Sequence, residues 1–355
     1  MSNQEKTRLQ RDGVAVRKER VYERLLAGAA VLTLAITTGI ILTLLGRTLV
    51  FFEAVSFVNY ITGTKWSPLI NEAVYGVLPL ISGTLLVTVI SAVIALPIGL
   101  AIAVYLSEYA SSRVRSVLKP ALEILASFPT VIYGYFALVY LTPRINRYLP
   151  LPFETTIISG GLAAAVPDVT LVPEGVPLLP AFTFVVSEFT LVVPSLRTFN
   201  ALSASIVVGV MIVPIVSSIS EDALSSVPDS LREAAYGLGS TKFDVSTKVV
   251  IPAATSGIVS SYILAISRAI GETMAVTIAM GTNPRLPAFP NVLDNLAQSG
   301  QTLTAAMVEI AGAETTGDSV LYESLFALGM TLFVMTLTMN IVAEYVRRRF
   351  REEYS

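Results

Sequence analysis

Six stretches of the chain run for about 20 residues or longer without a charge: 25–46, 73–107, 124–143, 198–220, 249–267 and 324–343. A helix needs about 20 apolar residues to cross ~30 Å of hydrocarbon. Charged residues make up 14% of the 355 positions and hydrophobic ones 53%, whereas a soluble domain carries about 25% charged residues. The chain therefore reads as an all-α polytopic membrane protein with six transmembrane helices. The first run exceeds a signal-peptide core and follows a charged tail of 24 residues, so it is expected to be a retained helix.

Seventeen lysines and arginines lie in residues 1–24, 108–119, 219–248 and the C-terminal tail, against five in 47–78, 142–196 and 281–320. The bias places both termini and the 219–248 link in the cytoplasm. The organisation expected is a tail (1–24), a first transmembrane helix (25–46), an outer loop (47–76), a core (77–345) and a second tail (346–355). Within the core, 142–196 forms a long proline-rich outer loop. Two further crossings there would keep the parity. Tyr60 and Trp66 read as aromatic anchors at the membrane interface. Pro97, Pro129 and Pro214 fall inside apolar runs and should kink their helices unless neighbours compensate.

Cysteine and histidine are both absent, which removes disulfides, thiol ligands and the commonest general base. No catalytic or metal-ligating set emerges. Neither chemistry by this chain itself nor a cofactor of its own is expected.

The cytoplasmic link reads PDSLREAAYGLGSTKFDVSTKVVIP from Pro228 to Pro252. Ser230 and Glu233 have capping-box spacing, Gly237 and Gly239 can end a helix, and a second helix over about 241–250 leads to the membrane. A DNA-binding helix-turn-helix fits the outline but has only three basic residues. GLGSTK fails as a phosphate loop: its glycines are too close, and Phe243 follows the lysine. A docking knob for a cytoplasmic partner fits best.

Inside the fifth apolar segment stands SRAIGETMAV, with Arg268 and Glu272 one turn apart. Each charge at mid-membrane costs about 2.5–3.5 kcal/mol. On a helix starting near Pro252, Arg268 would lie roughly 24 Å along and Glu272 about 6 Å further. An exposed pair of this spacing recovers only ~0.2–0.5 kcal/mol, and arginine before glutamate is the poorer order. The pair is expected to face protein or a wet cavity, beside Ser261, Leu264, Ala265, Gly271 and Ala275. Arg268 donates to an oxyanion, and ionised Glu272 only accepts. Together they favour an anion that keeps a proton, such as hydrogenphosphate, over sulfate.

The link resembles the EAA loop of ABC importer permeases through Glu233, Ala234, Ala235, Gly239, Val249, Ile251 and Pro252, with Val249 and Ile251 in place of the commoner isoleucine and leucine. In that family the loop inserts into a groove on the ATP-hydrolysing subunit. SRAIGETMAV resembles the corresponding stretch of PstC-type phosphate permeases, as do residues 83–110, FPTVIYGYFAL (128–138) and MIVPIVSSISED (211–222). This likeness runs from about residue 77 to the C-terminus, with a longer 150–195 loop than the family leads one to expect. It implies a plasma-membrane permease subunit importing phosphate, with Arg268 and Glu272 on the substrate path. The implied partners are a PstA-like permease, a PstB-like ATPase dimer using ATP and magnesium, and a PstS-like phosphate-binding protein. A secondary anion carrier or channel with Glu272 as a proton site, a permease for another oxyanion, and a membrane enzyme are the rival readings. A carrier driven by an ion gradient would have no need of the cytoplasmic knob.

Overall fold

The computed structural model describes residues 13–70, 73–148, 196–288, 292–313 and 319–349, so most of the proline-rich outer loop and both chain ends lie outside the described residues. The described elements are helical apart from one two-stranded antiparallel pair, β1 (Trp66–Ser67) and β2 (Val74–Tyr75). Four helices are long and apolar enough to cross a membrane singly, and two sharply bent pairs bring the number to six if each bent pair is one span.

The single helices are α1 (Gly13–Ala54), α3 (Leu78–Val104, extended by a wide turn to Tyr109), α7 (Ala201–Ser225) and α15 (Val320–Arg349). One bent pair joins α4 (Ser112–Ser127) to α5 (Thr130–Phe136) and its continuation α6 (Thr142–Tyr148), at 86°. The other joins the segment Lys242–Ala253 to α11 (Thr255–Ile270), at 71°. Short helices fill the remainder: α2 (Phe57–Thr62), α8 (Asp229–Gly237), α9 (Lys242–Val245), α10 (Ile251–Ala253), α12 (Met274–Met280), α13 (Val292–Ala297) and α14 (Leu303–Gly312).

The core is the α3–α7 contact. Without a hydrophobic driving force between helices in lipid, close packing depends on small residues that let backbones approach. Gly99 does this against Val216, since a Cβ there would come within 2.6 Å of the valine side chain. Ser91 adds a hydrogen bond to the Ser205 carbonyl at 2.8 Å. Around this contact lie Val87, Ala95, Val208, Ile212 and Val216, with Ala265 and Ala269 from α11 and Val276 from α12. Two of the three prolines leave their helices unbroken. Pro97 and Pro214 sit inside α3 and α7, which run on through them. Only Pro129 marks a break: Phe128 before it is extended (ψ 139°), as a residue preceding proline prefers.

Tyr60 and Trp66 do not act as interfacial anchors. They are 2% and 4% exposed, packed in a cluster with Phe51, Leu80, Leu303 and Leu328. Phe51 meets Tyr60 and Tyr75 edge-on at 5.6 and 5.4 Å, and the Tyr60 hydroxyl is 2.8 Å from that of Thr331 on α15. A buried tyrosine needs such a partner for its hydroxyl. The cluster ties the α1–β1–β2 cap to α15, where Arg47 also pairs with the buried Glu323 at 2.7 Å.

Candidate functional site

The helix assumed to carry Arg268 and Glu272 without interruption is broken twice. It bends at Ala254 and ends at Ile270; Gly271–Thr273 are not helical, and α12 begins at Met274. Each charge thereby meets the helix pole that suits it. Arg268 lies in the last turn of α11, where carbonyls face outward, and Glu272 precedes the first turn of α12, where amides do. The Glu272 carboxylate accepts from the Ala275 amide at 3.2 Å. Its backbone carbonyl accepts from Thr304 Oγ1 at 3.0 Å. The break thus accommodates a pair that an unbroken helix would have stabilised weakly.

Burial separates the two groups. Glu272 is 2% exposed at its side chain, whereas Arg268 is 49% exposed; Arg268 Nη2 stands 3.6 Å from Glu272 Oε2. Among the described residues the Arg268 guanidinium makes this ion pair and donates no hydrogen bond. Most of its donors are thus unspent on an open apolar surface, with Leu264 and Met274 also exposed. The small-residue face expected beside the pair is divided. Ser261, Ala265 and Ala275 are buried in the chain, and Ser261 meets Ser220 of α7 at 2.7 Å. Leu264 and Gly271 stay exposed.

Two neighbours of the pair escaped sequence reasoning. Thr304 belongs to α14, whose ten residues reach only about 15 Å and cannot cross. It is lodged inside the protein, with the Leu303 amide bonded to Thr84 Oγ1 at 3.1 Å. Its apolar composition inside a supposed outer loop was the available signal. The second is Gly134 on α5: a Cβ there would lie 2.8 Å from the Ala275 carbonyl, on the turn that Glu272 caps. Gly134→Ala should force α5 and α12 apart at a cost of about 1–3 kcal/mol. We expect a lower thermal midpoint in detergent; an unchanged midpoint would show that this approach is slack.

At the opposite end of α7 the link forms the expected helix-turn-helix. Helix α8 closes on Gly239, which has φ +83°. The Ser240 amide bonds to the Ala235 carbonyl at 3.1 Å, and that of Gly239 to Tyr236 at 2.9 Å, the paired bonds of a Schellman closure. Gly237 stays within the helix. The Ser230–Glu233 capping box does not form, because α8 begins at Asp229 directly after Pro228 and Ser230 is already inside it. Thr241 instead caps α9, accepting from the Asp244 amide at 3.2 Å. Hydrogen bonds from Lys248 and then Thr241 hold the Asp244 carboxyl below its ordinary range.

Of the EAA residues, Glu233, Ala234, Gly239 and Pro252 are exposed, whereas Ala235 is buried against Val245 and Val250. Ala235 therefore shapes the knob rather than its surface. The projecting groups are Leu238, 88% exposed, and Phe243, 67% exposed; both lie between motif positions and the pattern does not mark them. Arg232 secures the knob to α3 through Glu108 at 3.0 Å and to the Leu224 carbonyl at 2.8 Å.

Residues 95–352 match the family described as binding-protein-dependent transport system inner membrane component. The chain is 31% identical over 342 residues to the phosphate transport system permease protein PstC of Xylella fastidiosa, covering 96% of this chain and 93% of that protein. It is 29% identical over 297 residues to a probable ABC transporter permease protein of Bacillus subtilis, YqgH, covering 84% and 80%. Among solved structures, a bacterial ABC transporter involved in import of the acidic polysaccharide alginate superposes with a TM-score of 0.56. That match covers 95% of this chain and 100% of the other at 13% identity, a likeness of fold alone.

Proposed function

The chain belongs to the family of binding-protein-dependent transport system inner membrane components, and from that premise we propose that it is the PstC-type permease subunit of an ATP-driven phosphate importer in the plasma membrane. The observation that carries the reading is the Arg268–Glu272 pair: an arginine with unspent donors beside a buried carboxylate, at a break in a membrane helix. Broken helices whose ends and freed polar groups face a solute are a recurrent means of binding ions within a bilayer. Arg268 supplies charge-assisted donors to two phosphate oxygens, and Glu272 accepts the proton that hydrogenphosphate retains. The kinship with phosphate permeases supports the same substrate.

Half of the path belongs to this chain; the exposed face around Arg268 is completed by a PstA-like sister subunit. A PstS-like protein delivers phosphate from outside. A PstB-like ATPase dimer, using ATP and magnesium, grips the knob through Leu238 and Phe243, with Glu233, Ala234, Gly239 and Pro252 exposed around them. Closure of the ATPases moves the knob. Arg232 passes that motion to α3 and α7, and the break at Gly271–Thr273 opens to one side of the membrane and then the other.

The test is uptake by the reconstituted complex with its binding protein. Labelled phosphate should accumulate with ATP, and sulfate should enter far more slowly. Equal rates for the two anions would defeat the phosphate assignment. Uptake that persists without the ATPase would favour an ion-driven carrier instead.

A further inference from the structure

Helix α4 takes no part in the path just described, and none of its residues is buried in the chain. It cannot share one straight axis with the segment that follows it, although the two are apolar enough for a membrane span only when taken together. Thr130–Arg147, set at 86° to α4, spans roughly 27 Å by itself, close to the ~30 Å required. Around α4 the side chains divide into two main arcs, with Arg113 at the border of the apolar one and Leu122 beside the polar one. Arg115, Ser116, Lys119 and Glu123 occupy one arc; Val114, Val117, Leu118, Ala121 and Ile124 occupy the other, a helical spacing of three and four. Val117 is 67% and Ile124 62% exposed.

The polar arc is held in place. Arg115 pairs with Glu221 of α7 and donates to Ser225 Oγ at 2.9 Å. Lys119 reaches Glu221 at 2.7 Å and Asp222 at 2.6 Å, and Glu221 is wholly buried. This clamp sets the rotation of α4 about its own axis, so the apolar arc cannot turn inward. At its C-terminal end that arc continues through Leu125 into an apolar groove between α5 and α7, lined also by Phe128, Ile132, Phe136 and Val210.

We propose that α4 is an in-plane helix whose apolar stripe is sunk into the acyl chains of the bilayer leaflet on the side of the coupling knob, its rotation fixed by the Arg115 and Lys119 clamp on α7. A helix lying in the interface has this division of faces, with basic residues on the polar side. The stripe's chemistry favours lipid over a partner helix. Helix contacts in membranes are built on small residues, as at Gly99 and Ser91 in the α3–α7 contact, whereas this stripe is valine, leucine and isoleucine with one alanine.

Because the chain has no cysteine, single nitroxide labels test the proposal in the full complex in proteoliposomes, with the other subunits free of reactive cysteine. Val117→Cys and Ile124→Cys report the stripe, Ser116→Cys and Glu123→Cys the opposite arc. Leu118→Cys replaces the first should it fail to assemble. Labels on the stripe should be accessible to oxygen and shielded from a water-soluble nickel chelate, and those on the polar arc the reverse, with a several-fold contrast. Equal nickel accessibility on both arcs would overturn the proposal by placing α4 in water. Stripe labels closed to both reagents would overturn it by placing a protein subunit there.

Discussion

Arg268→Gln should cut ATP-driven phosphate uptake by about 10- to 100-fold while the complex still assembles. The magnitude follows from losing charge-assisted hydrogen bonds worth about 1.5–3 kcal/mol. Assembly should survive because Arg268 contributes little to the fold: it is half exposed, and its ion pair to Glu272 is long at 3.6 Å. Glu272 keeps its bond from the Ala275 amide without it. Glu272→Gln supplies the complementary measurement. Glutamine can still cap α12, but it adds a donor where the carboxylate only accepts, so the preference for phosphate over sulfate should narrow. Near-normal phosphate uptake by Arg268→Gln would remove the pair from the substrate path.

Replacing Gly239 by valine should lower recovery of the ATPase with the permease by roughly tenfold, since a β-branched residue in the left-handed region costs about 1–2 kcal/mol. Gly239 has φ +83° with open space around it, so the strain is in the backbone rather than in a clash. To relieve it, α8 must give up the Schellman closure that aims Leu238 and directs the chain towards Phe243. Gly239→Asn should retain most of the association, because asparagine tolerates this conformation. Leu238→Asp should lose it with the loop intact, because that side chain projects into solvent. Unaltered co-purification of the valine variant would mean that docking does not depend on this turn.

The knob was legible in the sequence because its shape is made by short-range bonds: Gly239 between two short helices suffices to predict the turn. Its exposed surface was less legible. Ala235 belongs to the motif yet packs inward against Val245, while Leu238 and Phe243 lie at positions the motif leaves open. The Arg268–Glu272 pair was conspicuous as two charges in an apolar run. Its geometry was not, because the partners come from far along the chain: Thr304 on α14 and Gly134 on α5. The two extra crossings considered for 142–196 fall mostly outside the described residues.

By itself the sequence determined a helical membrane protein with a glycine-closed knob and a charged pair in one apolar segment. Apolar length and the left-handed freedom of glycine are properties of a few neighbouring residues. Tertiary structure alone decided that the chain bends sharply at Pro129 while α3 and α7 run on through Pro97 and Pro214, that Tyr60 and Trp66 are packed inside, and that Glu272 is buried while Arg268 is open. The reason is that a helix break or a buried charge is tolerated only where distant segments bring hydrogen bonds and close packing to it, and a local stretch of sequence does not state which segments those will be.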